Sequence, residues 1–280
     1  MAVNMSDALR LPPGAVDLGA HDPRSTPHAP GGKKKKTRAA MSEQAPALAD
    51  LQERLYAEGA GGGGRSLLLV LQGMDTAGKG GVIKHVVGAL NPLGCQIAAF
   101  KKPTEQELRH HFLWRIRRRL PAAGMVTVFD RSHYEDVLIA RVRRLAKRET
   151  IERRYTEINR FEQRVVADGT TVVKCFLHIS AERQKERLLA RLDDPSKHWK
   201  FNPGDVDERR RWADYQLAYE MALERCSTEP APWYVVPSDR KWYRNWAISQ
   251  LLLETLTGLD PQLPPVDFDV AEQRRRLIES

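Results

Sequence analysis

Residues 66–81 read Ser-Leu-Leu-Leu-Val-Leu-Gln-Gly-Met-Asp-Thr-Ala-Gly-Lys-Gly-Gly. No polar side chain interrupts Leu67 to Leu71, so the run predicts a short strand buried on both faces. Gly73, Gly78, Gly80 and Gly81 then let the backbone turn, with Lys79 among them. From Gly81 to Leu90 the apolar spacing becomes helical. A strand, a glycine-rich turn holding one lysine and a helix form the setting of a phosphate-binding loop. Its backbone N–H groups approach phosphate oxygens, and the helix start adds partial positive charge. Lys79 supplies a point charge for the group in transfer.

One position departs from the usual loop, which ends in Ser or Thr so that the hydroxyl binds Mg²⁺. Here Gly80 stands there. The metal then needs other oxygens, and Mg²⁺ takes carboxylates, waters and substrate phosphates. Asp75 lies inside the loop. Asp130 ends the apolar run Met125 to Phe129, where a second acid of such sites belongs. Both should face the crevice at the carboxyl ends of the strands. Asp75 and Asp130 are the expected Mg²⁺ ligands, with Mn²⁺ as a substitute.

Four further runs read as strands: Gln96 to Phe100, Met125 to Asp130, Thr171 to Ile179 and Trp233 to Val236. Helical patterns separate them, at Glu105 to Leu120, Tyr134 to Asp168, Ala181 to Leu192 and Val206 to Arg225, and Trp242 to Leu256 closes the series. Alternating strands and helices predict an α/β fold with a parallel sheet covered by helices on both faces.

The 280 residues carry 45 Lys and Arg against 36 Asp and Glu, a net charge of +9, and 41% are hydrophobic, enough for a packed core. Residues 1–40 hold the run Lys33 to Lys36 and many Pro and Gly, with no periodic apolar pattern. They read as a flexible basic tail. Residues 41–260 read as the catalytic domain and 261–280 as a C-terminal extension. No apolar run nears the roughly 18 residues of a membrane span, and no secretory signal pattern opens the chain. Cys95, Cys175 and Cys226 form no CxxC pair, which suits a reducing cytoplasm. The basic balance favours a polyanionic partner. A nucleic acid is not expected, because aromatics do not interleave with the basic residues.

Beyond the loop (LQGMDTAGKGG), the stretches NPLG, FKKPTEQEL, FLWRI, LPAAG, FDRSHYEDV, RLDDPSKHWKF, WADYQLAYEMAL and APWYVVPSDRKWYRNW occur in order. Together they resemble the family-2 polyphosphate kinases, from about Leu51 to Leu256. The resemblance implies a P-loop kinase-like sheet with a helical lid, near residues 181–211. It implies Mg²⁺-dependent transfer between inorganic polyphosphate and a nucleotide, AMP, ADP or ATP, in a homo-oligomer. The FLWRI and SHYEDV forms are most similar to members using both AMP and ADP. Similar members often carry an acid where Gly80 stands, and Asp where His111 stands.

Roles follow. Gly73, Gly78, Gly80 and Lys79 should hold phosphate. Arg131 resembles the arginine after the second acid and should pair with the transferring or acceptor phosphate. Arg115, in FLWRI, should face the acceptor. Trp114 reads as a core residue or a cover for the base. Arg183, Arg187 and Arg191 fall on one helical face, and Arg187 and Arg191 with Lys200 should bind the phosphate chain. Glu135 stands where the resemblance places a residue tied to acceptor choice, Asn in diphosphate users. It reads also as a helix first-turn acid. Two alternatives remain: an ATP-dependent nucleoside monophosphate kinase of thymidylate-kinase type, and a nucleic-acid-binding NTPase.

Overall fold

The computed structural model describes residues 4–280. Its centre is a five-stranded sheet ordered β2-β3-β1-β4-β5, with every pairing parallel. The strands are β1 (Ser66–Gln72), β2 (Cys95–Ala99), β3 (Val126–Asp130), β4 (Thr170–His178) and β5 (Trp233–Pro237). All five strands predicted from the sequence are present, to within a residue or two at their ends. β1 is buried along its whole length because β3 and β4 flank it and helices cover both faces. That double burial is why its sequence is continuously apolar rather than alternating.

The register positions the site. Leu71 pairs with Asp130 on one side and Cys175 on the other. The loop leaving β1 and the acid ending β3 therefore emerge side by side at the carboxyl edge of the sheet.

Twelve α-helices surround the sheet among the described residues. They are α1 (Met5–Leu9), α2 (Lys34–Ala60), α3 (Lys79–His85), α4 (Glu105–Leu108), α5 (Trp114–Arg117) and α6 (Ile139–Val142). Next come α7 (Arg148–Ala167), α8 (Ala181–Leu192), α9 (Gly204–Arg210), α10 (Trp212–Cys226), α11 (Lys241–Leu259) and α12 (Val270–Glu279). Two helices expected to be continuous are broken. The pattern from Glu105 to Leu120 splits into α4 and α5, with His110 stacked on Trp114 at 4.1 Å between ring centres. The pattern from Tyr134 to Asp168 becomes a 3₁₀ turn, α6 and α7, interrupted at Arg144, whose φ is +53°.

The flexible tail expected over residues 1–40 is corrected for its described part. Residues 4–23 form a strap across the edge of the sheet. Glu254 on α11 accepts hydrogen bonds from the backbone N–H of Met5 and Ser6, at 2.7 and 2.9 Å. Leu11 N–H donates to the Trp233 carbonyl, covering the open side of β5. Glu220 accepts from Leu18 N–H, and the His21 carbonyl oxygen lies 2.9 Å from His178 Nε2. Met5, Leu9, Leu11 and Leu18 are all buried. Met5 and Leu9 stand one turn apart on the five-residue α1, too short a pattern for periodicity to reveal. Lys34 to Lys36 already belong to α2, so the basic run is helical rather than part of a flexible tail. At the other end, α12 buries no residue.

Candidate active site

The loop after β1 needs unusual backbone angles. Gly73 has φ +151° and Gly78 φ +117°. At Gly78 packing adds a second demand, since a Cβ there would stand 1.6 Å from Nη1 of Arg244. Gly80 differs: a Cβ would meet nothing within 4 Å. Packing therefore does not require glycine at this position. Thr76 takes φ +63°, strained for a β-branched residue, and lies against the cavity.

Two guanidinium groups brace this loop. Arg187 on α8 donates to the carbonyls of Thr76 and Ala77, at 2.8 and 3.0 Å, and to those of Ser238 and Asp239. Arg244 on α11, only 2% exposed, donates to the Ala77 carbonyl at 2.9 Å and to Asn245. Among the described residues neither makes an ion pair with a carboxylate. Burial pushes Arg187 down to about 10, helped by neighbouring Arg183, and Arg244 down to about 9 by burial and Arg187. Uncompensated cations beneath a phosphate loop form a preorganised positive field.

Lys79 bends back so that Nζ donates to the Gly73 carbonyl at 2.8 Å. Burial and the positive charge of Arg131 lower its pKa, against the pull of Asp75, Asp130 and Glu135. Arg131, with φ +64°, points its Nη2 at Asp75 Oδ1, 2.9 Å away. Burial opposes its charge, but the carboxylates of Glu135, Asp75 and Asp130 prevail and raise its pKa. Glu135 accepts from Gln72 Nε2 at 3.2 Å. Burial raises its pKa despite Arg131 and Lys79 nearby. The expected core of the site, Asp75, Lys79, Asp130, Arg131 and Glu135, is thus one electrostatic cluster.

Two cavities meet there. The larger, about 1300 Å³, is walled by eleven Lys and Arg side chains against two acids, Asp75 and Asp130. Lys79, Arg187, Arg191 and Lys200 belong to it as expected. The smaller, about 210 Å³, holds Gly73, Glu135, Asp205, Glu208, Tyr215 and Tyr219. Asp75 and Arg131 line both, so they stand at the junction.

Arg115 lies elsewhere. It is 8% exposed and donates to the Lys101 carbonyl at 2.8 Å, with Glu107 and Asp136 at 3.9 and 3.8 Å. It lines neither cavity. Trp114 also stays out of both. Arg191 donates to the Lys200 carbonyl and faces Asp205. Arg183 pairs with Glu186.

The sequence reading missed four wall features. Arg244 and Lys241 lie in the quoted stretch PSDRKWYRNW, but only the fold brings them to the loop. Trp199, 79% exposed, stands in the larger wall beside Lys200 Nζ, 4.8 Å from its ring centre. Arg38, on α2, lies in the same wall, within the supposed tail.

Among the described residues no three His, Cys, Asp or Glu side chains gather into a metal cage. Asp75 and Asp130 supply hard oxygens, and Asp130 makes no ion pair among the described residues. Mg²⁺ is commonly held by one or two carboxylates together with substrate phosphates, and this donor pair fits that pattern.

Residues 31–264 match the family model described as Polyphosphate kinase 2. The chain is 46% identical over 253 residues to the AMP/ADP-polyphosphate phosphotransferase of Meiothermus ruber, spanning 90% of this chain and 93% of that protein. It is 43% identical to the ADP-polyphosphate phosphotransferase of Rhodopseudomonas palustris, over 80% of each chain. The crystal structure of polyphosphate kinase 2 from Arthrobacter aurescens TC1 superposes with a TM-score of 0.96 at 53% identity, covering 100% of this chain and 98% of that one. The loop, its cationic cavity and these likenesses agree, and the chain belongs to the polyphosphate kinase 2 family.

Proposed function

We propose that this protein transfers phosphoryl groups between inorganic polyphosphate and a nucleotide, AMP to ADP, ADP to ATP or both, in a Mg²⁺-dependent and reversible reaction. The observation that carries the reading is the large cavity at the phosphate loop, with eleven cationic side chains against two acids. That wall suits a long chain of phosphates better than a single triphosphate. The names of the relatives in Meiothermus ruber and Rhodopseudomonas palustris support the same chemistry.

Polyphosphate lies in the larger cavity, its terminal phosphate against Lys79 and the loop amides. The acceptor enters beside Glu135, in the smaller cavity. An oxygen of its terminal phosphate attacks the terminal phosphorus of the chain. The bridging P–O bond breaks, and the shortened chain keeps the electron pair. Arg131, at the junction of the cavities, neutralises charge on the group in flight. Asp75 and Asp130 would hold the metal, which would supply positive charge against the phosphate oxygens. Positioning and electrostatics suffice, so no covalent intermediate is required.

We read the protein as cytoplasmic and homo-oligomeric. Three free thiols, two of them buried, support a reducing compartment, and no described helix is long and apolar enough to cross a membrane. The test supplies ADP or AMP with polyphosphate and Mg²⁺ and no ATP. ATP or ADP must appear. A protein active only with ATP and a monophosphate would be the ATP-dependent kinase instead.

A further inference from the structure

Lys174 sits in the middle of β4 with no exposed surface. Its Nζ donates to Glu162 Oε2 at 2.6 Å, to the Cys226 carbonyl at 2.7 Å and to Tyr134 Oη at 2.9 Å. Glu162, on α7, is equally buried. Its other oxygen accepts from Tyr134 Oη at 2.8 Å and lies 3.1 Å from His133 Nε2. Burial opposes the carboxylate charge, but Lys174 and His133 outweigh it and lower the pKa. None of these side chains lines either cavity.

A buried ion pair is a poor device for stability alone, because desolvating both charges consumes most of the attraction. The location of this pair gives it another use. His133 and Tyr134 belong to the turn from Asp130 to Glu135. Arg131 in that turn holds φ +64°, and such angles at a non-glycine residue persist only where the surroundings over-determine them. The turn is fixed at two places. Gln72 of β1 holds Ser132 and Glu135, at 3.3 and 3.2 Å. The ion pair holds the two residues between them.

We propose that Lys174 and Glu162 are positioning residues for phosphoryl transfer, acting through His133 and Tyr134 to hold Arg131 at the junction of the two cavities. The inference rests on the phosphotransferase reading above. It differs from a purely structural role in one respect: its effect must pass through Arg131.

The experiment first confirms that the wild-type protein makes ATP from ADP and polyphosphate, since absence of that activity refutes the phosphotransferase reading itself. Tyr134→Phe then removes one hydroxyl that touches both charges while keeping the ring. It should fold, lower kcat about tenfold and leave both KM values within twofold. In an Arg131→Ala background the same change should cost no further activity. The charge-free pair Lys174→Met with Glu162→Gln should behave likewise. The proposal is overturned if Tyr134→Phe keeps kcat within twofold, or if its loss multiplies undiminished with that of Arg131→Ala. Because Tyr134→Phe decides the matter alone, failure of the paired variant to fold does not rescue the proposal.

Discussion

Arg131 Nη2 stands 2.9 Å from Asp75 Oδ1, and the pair closes the boundary between a cationic cavity and a smaller acidic one. The residue after β3 is thereby tied to the loop after β1. If Asp75 holds the metal and Arg131 meets phosphate, as proposed, substrate must rearrange this contact. Asp75→Asn should therefore lower kcat by about 10²-fold, the scale of losing one preorganised group. It should also raise the Mg²⁺ concentration giving half-maximal rate. Asp130→Asn should act in the same direction. Metal titrations of wild type and both variants check this, and an unchanged Mg²⁺ dependence in Asp75→Asn would show that the carboxylate does not replace the missing hydroxyl at Gly80.

Lys79→Ala should fold and lose transfer by about 10²–10³-fold. The intact enzyme should reveal the same residue through pH. Burial lowers the Lys79 pKa in the free enzyme, so kcat/KM should fall as pH rises, earlier than an ordinary lysine would require. Bound polyphosphate favours the charged form and shifts the pKa upward. The alkaline fall of kcat should then lie at higher pH than that of kcat/KM. Coincident profiles would remove Lys79 from contact with the phosphate.

Gly78→Ala should destabilise the protein by about 2–5 kcal/mol, combining left-handed strain with overpacking against Arg244. Chemical denaturation measures it. Adding Arg244→Ala should recover part of the loss, because it opens the space but leaves the backbone angle. Purely additive losses would place the clash elsewhere.

Glu135→Asn should cut kcat/KM for AMP more than for ADP. AMP is one phosphate shorter, and a carboxylate in the acidic cavity can hold a cation or water in the vacated place. Steady-state rates with both acceptors at fixed polyphosphate test this. Equal losses would reduce Glu135 to a helix-start acid.

Replacing Lys34, Lys35 and Lys36 by alanine should raise KM for long polyphosphate at low salt and leave short chains unaffected. The run begins α2, whose Arg38 already walls the large cavity. Exposed charges are screened within about 8 Å at physiological ionic strength, so the difference should fade there. An equal effect on short chains would contradict recruitment of the distal chain.

The sheet was legible because each strand carries its own signal: Leu67 to Leu71 is apolar throughout, and Gly73 follows Gln72. Asp75 and Asp130 were legible as neighbours through their places after β1 and at the end of β3. The surroundings of Arg115 were not legible, because an arginine near a motif can turn either way. Here Glu107 and Asp136 draw it inward, and no local pattern reports acids brought close by folding. Arg244 was missed for the converse reason: its partners, Ala77 and Gly78, lie more than 160 residues away, at 167 for the Ala77 carbonyl bond.

The strap over β5 bears on how the chain is made. Residues 4–23 leave the ribosome well before their partners Glu220, Trp233 and Glu254, which are synthesised more than 200 residues later, with separations of 202 and 249 for Leu18 and Met5. During that interval Met5, Leu9, Leu11 and Leu18 have nowhere to bury, and β5, once formed, has an open edge until they arrive. A segment made early is thus among the last to find its place, and nascent chains interrupted before α11 retain a sticky stretch that the finished enzyme conceals.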